Sequence, residues 1–165
     1  METLLASPLQ PIQIIVGKVA PYLAIGFVSA LIVIFEARLL FKVPVRGSLP
    51  LLLAETLLFI LVSLSLGMLI SARTNSQRVA MMGALIGTML PTMLLSGFIF
   101  PVESMPVPLQ VISHIVPARW FVFIARSIML KGVGLHYIWR ETLILGGMAF
   151  LLLAASTRSF KIRLQ

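Results

Sequence analysis

The residue types that carry most protein chemistry are scarce in this chain. Its five acidic residues are all glutamate: Glu2, Glu36, Glu55, Glu103 and Glu141, with neither aspartate nor cysteine present. Without cysteine there is no disulfide and no thiolate metal site. Without aspartate, the usual acidic magnesium ligand of nucleotide hydrolases is missing. The Gly17-Lys18 pair is followed by valine and lacks the upstream glycine of a phosphate-cradling loop. The chain is therefore not expected to hydrolyse ATP, and no cofactor of its own is expected. His114 and His136 are too far apart for a zinc-binding helix pair, and no Gly-x-Ser-x-Gly elbow occurs. An intramembrane protease would need a Ser/His pair or two aspartates within its spans, and the apolar runs supply neither. His114 reads as an interfacial polar residue. No catalytic residue and no metal ligand is expected.

The surroundings of these few groups are apolar. Hydrophobic residues make up 59% of the 165 residues and charged ones 11%, and mean hydropathy is +1.08. A soluble domain is nearer half apolar and a quarter charged, and disordered segments are poorer still in apolar residues. Lipid is the solvent for most of this chain. The net charge of +8 raises nucleic acid as a partner, but the basic residues stand singly or in pairs between apolar runs, with no patch and no interleaved aromatics. Short basic flanks are what membrane segments carry, so no nucleic-acid partner is expected.

Four runs are long enough, or nearly so, to cross a bilayer as helices. They are Val19–Phe35, Thr56–Ala72 (reaching back to Leu49 if Glu55 is accommodated inside a bundle), Val79–Val102 and Thr142–Thr157. The third would span about 36 Å and carries Pro91, which is expected to bend it. The fourth becomes adequate if it starts near Tyr137 or Trp139, two aromatics suited to the interface. Small residues at helical spacing, Gly83 with Gly87, Ser63 with Gly67 and Gly26 with Ala30, permit close helix approach in lipid. No internal repeat of the inverted-transporter kind is visible.

Pro106–Lys131 is apolar yet contains Gln110, His114, Arg119, Arg126 and Lys131, and Pro117 divides it near its middle. Each half gives roughly 15 Å of helix, half of what a span requires. Proline ends or kinks a helix, and arginines are costly at the bilayer centre. The segment is expected to form a re-entrant hairpin of two short helices. The expected fold is thus all-α and integral to the membrane, with four transmembrane helices and a re-entrant helical hairpin before the last.

Several stretches together resemble the permease of type-2 ATP-binding-cassette exporters, in the multidrug-efflux-like branch. Met1–Pro8 followed by Gly17–Tyr22 is similar to that family's cytosolic segment leading into a span. Val45–Leu49 resembles its short outer loop, and Ser71–Gln77 its cytosolic turn. The most specific likeness runs through Ser96-Gly97-Phe98-Ile99-Phe100-Pro101, Met105-Pro106, Pro117-Ala118-Arg119-Trp120-Phe121, and Arg126 to Gly132. The basic end, Arg158 to Arg163, is similar to the cytosolic tail.

The resemblance implies an exporter permease, working as a homo- or heterodimer with another permease in the bacterial cytoplasmic (inner) membrane. A separate ATPase subunit would use the ATP, and the cargo would be drug-like or lipid-like. It implies ATPase-coupling roles for Glu2, Leu4, Leu5, Ser7, Pro8, Arg73, Asn75 and Gln77. Pro101, Pro106, Pro117, Arg119, Arg126 and Lys131 would form the hairpin. The family has six spans, so residues 1–165 would be the C-terminal part of its transmembrane domain. The first two spans and the extracellular domain would be absent, and Met1 an internal methionine. Glu55 would then be the residue most exposed to the loss. Charge bias leaves orientation open, six basic residues on one side against seven on the other. Two other functions compete: an intramembrane lipid-acting enzyme, which needs paired acidic or nucleophilic groups at one depth, and a membrane scaffold without transport.

Overall fold

Apolar runs without charge fold as helices in lipid because every backbone donor must find its acceptor within the segment. The computed structural model describes residues 11–74 and 76–162. In chain order its helices are α1 (Pro11–Leu39), α2 (Leu49–Arg73), α3 (Gln77–Ala84), α4 (Leu90–Leu95), α5 (Val107–Ser113), α6 (Pro117–Arg126) and α7 (Leu135–Ile162). A wide π-turn, Leu85–Met89, joins α3 to α4, and a second, Ser127–Lys131, extends α6. Four stretches are long and apolar enough to cross a membrane: Val19–Leu39, Leu49–Ala72, Gln77–Leu95 and Leu135–Ser156.

The second span begins at Leu49, so Glu55 lies inside it. The last begins at Leu135, which brings the exposed Tyr137 and Trp139 into its first turns. The third is shorter than the Val79–Val102 run. It ends at Leu95, because Gly97 takes a left-handed conformation (φ +79°) and the Ser96 hydroxyl accepts the Phe98 N–H at 3.3 Å. Apolarity persists through Phe100, but the helix does not. Upstream, Pro91 has no N–H to offer the Gly87 carbonyl, and the π-turn just before it absorbs that mismatch in register.

In lipid, helices associate through close packing and interhelical hydrogen bonds rather than through water exclusion. Here α7 lies along α2, with Leu52 and Val62 meeting Ile138, Leu145 and Ala149, and Ile124 and Ile128 closing the cluster from the hairpin. Of the small-residue pairs, Gly26 makes the tightest approach: a Cβ there would sit 3.0 Å from Ile60. Gly67 and Gly87 face open space within the chain. No residue of the first or third span is fully buried against the rest of the described chain, so each keeps a face for lipid or further protein.

Between the third span and α7, α5 and α6 meet at 86° across residues 114–116. This bent pair is the expected hairpin, divided at Pro117. Cysteines at positions 107 and 131 are expected to react with an impermeant maleimide from the same side of the membrane. Labelling from opposite sides would make the segment a fifth span.

Candidate functional site

The hairpin's corner is built around one guanidinium. Arg119 donates to the Gln110 carbonyl at 3.1 Å, to the Ser113 hydroxyl and to the His114 ring at 2.9 Å. Trp120 lies beside it, its ring centroid 5.4 Å from the guanidinium carbon, and gives its indole N–H to the His114 carbonyl at 3.0 Å. Gln110 in turn donates to the Met105 carbonyl at 2.9 Å. Carbonyls left over where α5 ends are thereby satisfied by side chains from α6.

Two further contacts fix the hairpin to the spans. Arg126 donates to the carbonyls of Gly97 and Phe98 at 3.1 and 3.3 Å, fastening α6 to the end of the third span. At the far end of the arm, the loop between α1 and α2 docks on the second π-turn. There the Arg46 N–H donates to the Met129 carbonyl at 3.1 Å. Gly47 comes so close that a Cβ would stand 2.5 Å from the Ile128 oxygen, and the left-handed Gly132 (φ +70°) lies against Arg46. Deeper down, Phe121 stacks on Phe59 with centroids 4.4 Å apart. Phe59 is ten residues into α2, about 15 Å along the helix, so the corner beside Arg119 reaches toward the middle of the span.

Hairpin, end of the third span and start of α7 together enclose a cleft of about 540 Å³. Of the residues expected to form the hairpin, Pro101, Arg119, Arg126 and Lys131 line it, whereas Pro106 caps α5 and Pro117 opens α6. Glu103 and Glu141 also line it, and sequence spacing had not associated either with the hairpin. They come from a short helical turn after the third span and from α7, so only the tertiary fold unites them.

At the opposite end of the spans, a shallower cleft of about 450 Å³ lies between the end of α2 and the start of α3, lined by Ser71, Thr74, Ser76 and Gln77 among others. Gln77, expected to couple to an ATPase, is exposed on this cleft, and Arg73 is the last residue of α2. Glu2, Leu4, Leu5, Ser7, Pro8 and Asn75 lie outside the described residues.

Glu55 corrects an expectation. The carboxyl expected to lose its surroundings is 3% exposed, and its Oε1 accepts the Thr142 hydroxyl at 2.6 Å, a contact between α2 and α7. Its Oε2 is buried without a partner. Among the described residues, no group of three or more His, Cys, Asp or Glu is arranged to hold a metal.

A sequence profile described as ABC-2 family transporter protein matches residues 1–158. The "probable multidrug ABC transporter permease YbhS" of Escherichia coli K12 is 37% identical over 132 residues, which are 80% of this chain and 35% of that protein. The "inner membrane transport permease YhhJ" of the same organism is 32% identical over 158 residues, 93% of this chain and 42% of its own length. "ABC transporter G family member 20" of Dictyostelium discoideum is 32% identical over 158 residues, 94% of this chain and 22% of its own. The chain spans well under half the length of these curated relatives. No solved structure matches it.

Proposed function

Because the chain belongs to the ABC-2 transporter family, we propose that it is membrane-spanning permease machinery of an ATP-driven exporter in the bacterial inner membrane. The observation that carries this reading is the family match over residues 1–158. Relatives named as a probable multidrug ABC transporter permease and an inner membrane transport permease support transport and the membrane. The cargo is drug-like or lipid-like. In this reading the energy comes from a separate ATP-binding-cassette subunit, as the relatives named ABC transporter permeases suggest. A second permease chain, identical or related, completes the transporter. The unburied faces of the first and third spans offer it surface.

The ATPase docks, in this reading, on Glu2, Leu4, Leu5, Ser7 and Pro8 together with Arg73, Asn75 and Gln77. The apolar Leu4–Leu5 pair would anchor the contact and Glu2 would orient it, since interfaces concentrate their energy in a few anchored side chains. Affinity purification of the tagged chain from its native membrane tests the partner. A cassette ATPase is expected to copurify, and its absence under conditions that retain the membrane assembly would overturn the reading. Glu2→Arg is expected to weaken ATPase capture about fivefold to tenfold while membrane insertion stays normal, because surface charge changes rarely unfold a protein. Undiminished capture would remove Glu2 from the coupling surface.

A further inference from the structure

The cleft beneath the hairpin has an unusual composition for its depth. Arg119, Arg126 and Lys131 supply three cations, and Glu103 and Glu141 two carboxylates, on the walls of one 540 Å³ space. Charged side chains are costly at membrane depth and are found lining polar cavities. The cleft runs from Lys131, near the loop at the end of α1, to Arg119, level with the middle of α2. Its charges are held apart. Arg126 is committed to the Gly97 and Phe98 carbonyls, and Arg119 to the hairpin corner. Each guanidinium carries five N–H donors, so both keep donors beyond those bonds. Glu141 lines the cleft with Glu103, while its Oε2 is shielded from solvent and has no hydrogen-bond partner among the described residues. Two glutamates on the same walls as three cations fit a ligand carrying both signs of charge better than a simple anion.

Apolar surface continues from the same opening. Phe123 and Leu130 line the cleft and are 41% and 49% exposed, and Phe98 and Phe100 beside its mouth are 67% and 56% exposed. A zwitterionic head and acyl chains would therefore meet matching surfaces at one place.

We propose that this cleft binds the headgroup of a zwitterionic phospholipid from the leaflet at the hairpin end. The phosphate sits between Arg126 and Lys131 toward the outer end of the cleft, the ammonium lies toward Glu141, and the chains lie along Phe123 and Leu130. The site concerns lipid binding and stands apart from ATPase coupling, so failure of either leaves the other intact.

Native mass spectrometry of the full chain tests it. Protein would be released from nanodiscs containing equal amounts of dioleoyl phosphatidylethanolamine, dioleoyl phosphatidylglycerol and dioleoylglycerol. Retention of phosphatidylethanolamine is expected to exceed that of phosphatidylglycerol about tenfold, as loss of one charge-assisted contact implies, with dioleoylglycerol retained least. Glu141→Gln, nearly isosteric, is expected to abolish the preference between the two phospholipids. Lys131→Ala, at an exposed position, is expected to weaken both. Equal retention of all three lipids by the wild-type chain would overturn the proposal, as would an unchanged preference in Glu141→Gln. Free phosphoethanolamine distinguishes the source. It is expected to displace the lipid only at far higher concentration, and displacement at equal concentration would assign the site to a soluble ligand and overturn the lipid.

Discussion

Replacing Thr142 with valine is expected to cost the folded chain about 2–3 kcal/mol, more than removing the glutamate that Thr142 serves. The Glu55 carboxyl is almost fully buried between α2 and α7, and among the described residues its one hydrogen bond comes from the Thr142 hydroxyl at 2.6 Å. Valine keeps the shape of threonine and deletes the donor, leaving both carboxyl oxygens without partners. Orphaning a buried polar group costs about 1–3 kcal/mol, and more when it is charged. Exchanging the buried polar group itself for an apolar residue of similar volume is often neutral or stabilising. Glu55→Leu is therefore expected to be nearly neutral, Thr142→Ser to behave like wild type, and Glu55→Leu with Thr142→Val to recover most of the valine loss. Thermal unfolding of the purified variants in one detergent measures the series. A Glu55→Leu variant less stable than Thr142→Val would show that packing, not the hydrogen bond, sets the role of this pair.

That pair also marks how far the sequence could be read. Glu55 stood out as a carboxyl to be accommodated inside a bundle, but its partner is 87 positions away and is a threonine, a residue without charge or motif to signal it. The spans were legible because lipid demands long charge-free helices, and the hairpin because Pro117 and two arginines break that demand in one place. The end of the third span was not legible. Hydropathy runs on through Phe98-Ile99-Phe100, whereas the helix obeys the backbone conformation of Gly97. The π-turns are likewise invisible to periodicity, since each is a local shift of hydrogen-bond register. Within the cleft, the cations were foreseen as hairpin residues. Glu103 and Glu141 were not, because two carboxylates on separate elements acquire a shared meaning only once α7 packs beside the hairpin.

Gly47→Ala is expected to be the most damaging single-methyl change among the described glycines. The loop joining α1 to α2 lies flat on the second π-turn, held by the Arg46 N–H on the Met129 carbonyl at 3.1 Å. At Gly47 the added carbon would stand 2.5 Å from the Ile128 carbonyl oxygen and 2.9 Å from its Cγ2. The obstacle includes backbone, so a rotamer change cannot relieve it, and Ile128 is itself fully buried in the helical core. Either the loop lifts or the π-turn shifts, and overpacking of this kind costs about 1–3 kcal/mol. Two other glycines calibrate the effect. Gly132→Ala meets Arg46 at 3.2 Å and forces alanine into a left-handed conformation at φ +70°, worth about 1–2 kcal/mol. Gly146→Ala, inside α7 with nothing within 4 Å, is expected to be neutral or to stabilise by up to about 1 kcal/mol through helix propensity. Unfolding midpoints should therefore rank Gly47→Ala lowest, then Gly132→Ala, with Gly146→Ala at or above wild type. Limited trypsin digestion gives an independent reading of the same contact. Arg46 donates its backbone N–H to the hairpin, so a lifted loop frees that strand for the protease, and cleavage after Arg46 should accelerate in Gly47→Ala and stay at the wild-type rate in Gly146→Ala. Wild-type stability and wild-type cleavage in Gly47→Ala would mean that the loop is not seated on the hairpin.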